Sequence, residues 1–235
     1  MSKRMRFVLL ASLLVNVMAA IYFIPKIISK LSPKETVQVN ENYWMQRDQY
    51  FNLLPIDTNS IVLLGTSHTH NLEIQETTSA PIMNRGINGD HISGMQNRLS
   101  PIVSGHPKKI IIEAGINDIG DLKLDNSEII KRFRKLIQTI SKESPQTEII
   151  ITSIFPVANE SDQMTAYCSK NINTQIVDLN LHLNELSQEY KITYLDVHTK
   201  LTSNKELNPA YSFDGVHLSP KGHLIWHNML KSHLN

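Results

Sequence analysis

Asp214-Gly215-Val216-His217 places a carboxylate and an imidazole three positions apart, with a glycine between them that lets the backbone turn tightly. On a loop or a first helical turn, that spacing lets the carboxylate hold one ring nitrogen while the other is free to take a proton from a third group. Ser67 is the candidate for that group. It follows the apolar run Ile61-Val62-Leu63-Leu64, closed by Gly65, where the chain can turn sharply. A hydroxyl at such a turn is exposed at a sheet edge, points in a fixed direction and has backbone amides near it for developing negative charge, as a serine nucleophile needs. Taken singly, Ser67 reads as a helix N-cap and the Asp–His pair as chance neighbours. The chemistry rests on their occurring with two further loops.

The first of these is Asn84-Arg85-Gly86-Ile87-Asn88-Gly89-Asp90. Gly86 can present its backbone N–H to an oxyanion without a side chain in the way, or the glycines can simply reverse the chain. The second is Glu113-Ala114-Gly115-Ile116-Asn117-Asp118. The Asn117 side-chain amide can donate to the same oxyanion, while Asp118 suits capping or pinning of the loop. Turn chemistry is the competing reading for both. His68-Thr69-His70 sits on a turn beside Ser67 with no carboxylate or cysteine cluster to complete a metal site, so no metal is expected there.

These loops need elements to position them. Buried-strand patterns occur at Ile61–Leu64, Lys109–Glu113, Glu148–Thr152 and Thr193–Asp196, with a shorter one at Pro81–Asn84. Between them the period turns helical. Ile129, Ile130, Phe133, Leu136, Ile137 and Ile140 form one apolar stripe, and Ile172, Ile176, Leu179, Leu183 and Leu186 another. A helix is also expected over 41–54, with Tyr43, Tyr50, Phe51 and Leu54 on one face. A last helix should follow Ser219-Pro220, its apolar face including Leu224, Ile225 and Leu230. Alternating buried strands and amphipathic helices imply an α/β fold, a parallel sheet covered on both faces, with the site in loops at the C-terminal strand ends.

The four loops in chain order resemble the SGNH hydrolases, or GDSL esterase/lipase family, from about Ile61 to Trp226. Gly65-Thr66-Ser67-His68 is similar to its first block, Asn84 to Asp90 to the second, Gly115-Ile116-Asn117-Asp118 to the third and Asp214-Gly215-Val216-His217 to the fifth. Ser153-Ile154-Phe155-Pro156-Val157 is similar to a stretch of bacterial members of the platelet-activating-factor acetylhydrolase type. The resemblance implies a three-layer α/β/α sandwich of flavodoxin-like kind and a Ser67–His217–Asp214 triad. The Ser67 N–H, the Gly86 N–H and the Asn117 side chain would form the oxyanion hole, and no cofactor is implied. The family's usual Asp before the nucleophile is Thr66 here, so the hydrogen bonding that supports the turn must differ.

The 235 residues, 41% hydrophobic and 19% charged, suit one globular domain with something added at one end. A net charge of +1 and no basic run interleaved with aromatics argue against a nucleic-acid partner. The single cysteine, Cys168, rules out an intrachain disulfide framework and reads as a packed thiol. Lys108-Lys109 and Lys131–Lys135 read as solvated faces. Lys3, Arg4 and Arg6 precede the uncharged stretch 7–25, close to the ~20 apolar residues that span a bilayer. Because the apolar run continues past Ala19 and Ala20, an uncleaved anchor over 1–25 is preferred to a signal peptide cleaved on secretion. A linker at 26–40 and a catalytic domain at 41–235, outside the cytoplasm, follow. The expected activity is hydrolysis of acyl esters, acetyl or short-chain, on a carbohydrate or lipid. The alternatives are O-acyl transfer to an envelope glycan by the same triad, and a non-catalytic carbohydrate- or lipid-binding module.

Overall fold

The computed structural model describes residues 4, 5, 7, 16, 22, 41–75 and 78–234. The expected anchor at 1–25 and linker at 26–40 lie outside the described residues, apart from those five positions. No helix among the described residues is long and apolar enough to cross a membrane. Residues 41–235 form one compact unit.

That unit opens with helix α1 (Glu41–Asn52) and continues β1 (Ile61–Gly65), α2 (Ser67–His70), β2 (Ile82–Gly86), α3 (Ile92–Asn97), α4 (Ser100–Ser104) and β3 (Lys109–Glu113). Then come α5 (Ile116–Gly120), α6 (Asn126–Glu143), β4 (Glu148–Thr152), α7 (Lys170–Tyr190), β5 (Thr193–Leu195) and α8 (His198–Leu201). A short hairpin of β6 (Thr202–Ser203) and β7 (Glu206–Leu207) precedes α9 (Pro220–Leu230). Strands β1 to β5 make one parallel sheet in the order β2-β1-β3-β4-β5. The order reverses between β1 and β3, which opens a crevice beyond their carboxyl ends.

Alternation along the strands divides the core in two. Val62, Leu64, Ile110, Ile112, Ile149 and Ile151 face α3, α4, α6 and α7, where Met95, Val103, Phe133 and Leu183 meet them. Ile61, Leu63, Ile111 and Ile150 face α8 and α9 through Leu201, Trp226 and Leu230. Caps define the long helices. The Asp125 side chain accepts Glu128 N–H ahead of α6, the Ser169 side chain accepts Ile172 N–H ahead of α7, and Ser219 with Pro220 starts α9 as expected.

Three expectations need correction. In α9, Leu224 is exposed and Trp226 is buried, so the apolar stripe runs through Trp226 and Leu230, one turn apart. Helix α1 ends at Asn52, before Leu54; Tyr50 and Leu54 are exposed, and Phe51 alone of the expected face is buried, beneath the guanidinium groups of Arg47 and Arg85. Lys109 is not solvated: its Nζ donates to His233 O at 2.9 Å and pairs with Glu148 at 3.3 Å, which ties the start of β3 to the C-terminal turn.

Candidate active site

The register of β1 and β3 sets Gly65 beside Glu113, at the switch point of the sheet. Past Gly65 the chain turns into α2, and the α2 side chains fold back over the glycine. A Cβ at Gly65 would lie 1.9 Å from Thr69 Oγ1 and 2.9 Å from Glu113 Oε2, so no larger residue fits. The buried Glu113 carboxylate accepts the Thr66 N–H at 3.0 Å, the Thr66 hydroxyl at 2.9 Å and the Thr69 hydroxyl at 3.0 Å. Arg98, buried in an ion pair with Asp90 at 2.8 Å, donates to Gly65 O at 3.3 Å. Ser67 is the first residue of α2 rather than its cap. Its side chain is nearly buried, and its hydroxyl makes no hydrogen bond with any described residue.

The loop carrying Asp214 and His217 is held from both sides. Ser212 Oγ accepts Gly215 N–H and donates to His217 O, while Ser161 Oγ donates to Asp214 O at 2.6 Å. Gly215 takes φ +91°, with Ala158 and Cys168 packed against its α-carbon. Cys168 is therefore a packed thiol, pushed by burial up to about 11. Asp214 Oδ1 accepts the backbone N–H of Val216 and of His217, and Oδ2 accepts His217 Nδ1–H at 2.6 Å. Burial opposes the Asp214 charge, but the His217 imidazole and the two backbone donors outweigh it and hold the carboxyl below its ordinary range. With Nδ1 donating, Nε2 carries the lone pair.

His68 joins the two halves. Its Nε2 donates to Val216 O at 3.0 Å, its Nδ1 lies 3.4 Å from Glu113 Oε1, and its ring stands 5.8 Å from that of His217. Phe155 packs between His68 and Trp226. Burial works against charge on His68, but Glu113 and the Val216 carbonyl outweigh it and raise its pKa. Burial likewise opposes ionised Glu113, and His68 with Thr66 outweighs it and lowers that pKa. Both directions describe an imidazolium against a carboxylate. The structure thus brings the Ser67 turn against the 214–217 loop, with no direct hydrogen bond from Ser67 Oγ to His217.

The GDSL-like lipase/acylhydrolase family model matches residues 69–225. The chain belongs to that family. Its fold is similar to that of a structure from Streptococcus pneumonia described as a platelet activating factor, at 26% identity and TM-score 0.73, over 93% of this chain and 99% of that one. It is also similar to an acylhydrolase from Bacteroides fragilis (21%, TM-score 0.70, 86% and 98%) and to an acetylxylan esterase from Geobacillus stearothermophilus (16%, TM-score 0.58, 77% and 95%). These two likenesses are of fold. An N-acylneuraminate cytidylyltransferase from Escherichia coli O18:K1:H7 is 25% identical over 170 residues, which are 72% of this chain and 38% of that protein.

Of the oxyanion donors that the GDSL resemblance implies, Asn117 lies buried in the first turn of α5 and Gly86 is not free. Asn117 Nδ2 donates to Asp90 O at 2.9 Å, leaving one N–H of the amide for a second acceptor. Gly86 N–H is taken by Asn84 Oδ1 at 2.9 Å, and a Cβ there would lie 2.2 Å from His70 N. Glycine stands at 86 because α2 packs directly on that backbone. Sequence reasoning passed over Gly89. It is half-exposed with φ +72°, in a turn closed by Asp90 N–H to Ile87 O, and its own N–H makes no hydrogen bond with a described residue. The signal was the Asn88-Gly89 pair, which puts glycine at the turn position that needs positive φ. Asp118 pins the loop as expected, accepting Ile92 N–H at 3.2 Å and pairing with Arg132 at 3.2 Å.

Proposed function

We propose that this GDSL hydrolase cleaves acetyl or other short acyl esters of a carbohydrate through Ser67, His217 and Asp214. The observation that carries the reading is the Asp214–His217 bond of 2.6 Å, which leaves Nε2 as base beside the turn that presents an unengaged Ser67 hydroxyl. Ser67 Oγ bonds to the acyl carbon while its proton passes to His217 Nε2. The oxyanion takes hydrogen bonds from the Ser67 N–H, the Asn117 amide and, in place of Gly86, the Gly89 N–H. Collapse of the tetrahedral intermediate breaks the ester C–O bond as His217 returns the proton to the leaving alkoxide. Water, deprotonated by the same nitrogen, releases the acid.

Two resemblances support a carbohydrate as the alcohol. A fold neighbour acts on acetylxylan, and the cytidylyltransferase that is 25% identical over 170 residues is named for N-acylneuraminate. The cationic start and the uncharged stretch 7–25 support anchoring with the catalytic domain outside the cytoplasm. In the full-length chain, Ser67→Ala is expected to abolish p-nitrophenyl acetate hydrolysis and fluorophosphonate labelling. Full activity in that variant would overturn the assignment.

A further inference from the structure

Glu113 is buried at the end of β3 and touches none of the groups assigned to the reaction. It nevertheless gathers the nucleophile turn: the Thr66 N–H, the Thr66 hydroxyl and the Thr69 hydroxyl, on either side of Ser67, all end on its two oxygens. The fourth group against it is His68 Nδ1. Val216 O can only accept, so His68 Nε2 must carry a hydrogen and donate to it. The chain of contacts therefore runs Thr66–Glu113–His68–Val216 and ends one residue from His217. The ionisable groups around His68 are Glu113 from β3, Asp214 and His217 from the loop, and His223 from α9, whose Nε2 lies 3.3 Å from His68 O.

We propose that the buried Glu113–His68 pair is a positioning device for the Ser67 reaction, holding the nucleophile turn and the Asp214–His217 loop at the separation that proton transfer requires. The inference rests on the reading of Ser67 as nucleophile. It also accounts for Thr66. A carboxylate at position 66 would meet Glu113 within hydrogen-bond distance, and two buried like charges in contact are strongly unfavourable. A hydroxyl donates instead. In this chain the carboxylate that braces the turn comes from the neighbouring strand, and residue 66 must be a donor.

The experiment measures kcat for p-nitrophenyl acetate in the full-length protein, expressed per site titrated with a fluorophosphonate, so that loss of folded protein does not register. Glu113→Gln is expected to lower kcat per titrated site about 10²-fold with KM little changed, the effect of a small misplacement of reacting groups. Thr66→Asp is expected to be worse alone than in the double variant Thr66→Asp/Glu113→Gln, which should recover about tenfold as the carboxylate is moved across the contact. Where Glu113→Gln does not fold, His68→Gln, which keeps a donor toward Val216, is read in the same way. An unchanged kcat per titrated site, or no recovery in the double variant, overturns the proposal. Wild-type protein that the probe does not label defeats the reading of Ser67 itself, and the positioning role with it.

Discussion

Asp214 meets His217 through both carboxylate oxygens: Oδ2 holds the ring nitrogen Nδ1, and Oδ1 holds the backbone N–H of the same residue. Ring orientation and main chain are thus fixed by one group. Asp214→Asn keeps the shape but offers an amide N–H to Nδ1, which moves the ring hydrogen to Nε2 and removes the base. The expected result is a fall in kcat on the order of 10⁴-fold with KM little changed. Steady-state kinetics on p-nitrophenyl acetate checks it. A kcat close to wild type would mean that another group serves as base.

Asn117 and Gly86 should respond differently to substitution. Asn117→Ala removes a proposed oxyanion donor and is expected to cost about 10²–10³ in kcat. Gly86→Ala forces a methyl group against the α2 backbone and should show chiefly as a lower Tm. Thermal melts beside kcat per titrated site distinguish them. A Gly86→Ala protein that melts like wild type but has lost turnover would return Gly86 to the oxyanion hole.

The Glu113–His68 pair should leave a mark on stability against pH. Glu113 ionises more readily folded than unfolded, so its contribution is complete above its ordinary value of 4.5 and is lost as the pH falls through the lower folded value. His68 is raised, so its contribution is complete below 6.5 and is lost as the pH rises through the higher folded value. The difference in Tm between wild type and Glu113→Gln is therefore expected to be largest between pH 4.5 and 6.5 and to shrink on either side. A difference independent of pH would show that the pair is not ionised.

The strands were legible because Ile61–Leu64, Lys109–Glu113 and Glu148–Thr152 are buried on both faces and so read as unbroken apolar runs. The stripes of α6 and α7 were legible for the complementary reason, one face being wet. The phase of α9 is not legible locally because Leu224, Ile225 and Trp226 are consecutive, and only packing on Phe155 selects Trp226. The Asn88-Gly89 pair marked Gly89 for positive φ locally, but the close packing that requires glycine at 86, the end of β2, comes from α2 and is not a local signal. Glu113 looked like the polar end of a strand. Its bond to Thr66 depends on which strands are neighbours and in what register, a relation between residues 47 positions apart that local pattern does not carry.

Two buried asparagines of α7 hold the segment after β4. Asn180 pairs with both the N–H and the C=O of Ile154, and Asn173 does the same for Val157, while Phe155 between them packs on His68. The asparagines are seven positions apart, two helical turns, so they lie on one side of the helix. The helix therefore works as a ruler for an extended segment. Inserting or deleting one residue between 173 and 180 would swing one clamp about 100° around the axis. Length changes within this family should accordingly gather in the loops at either end of α7 and be excluded from its middle, although the middle of α7 touches no reacting group.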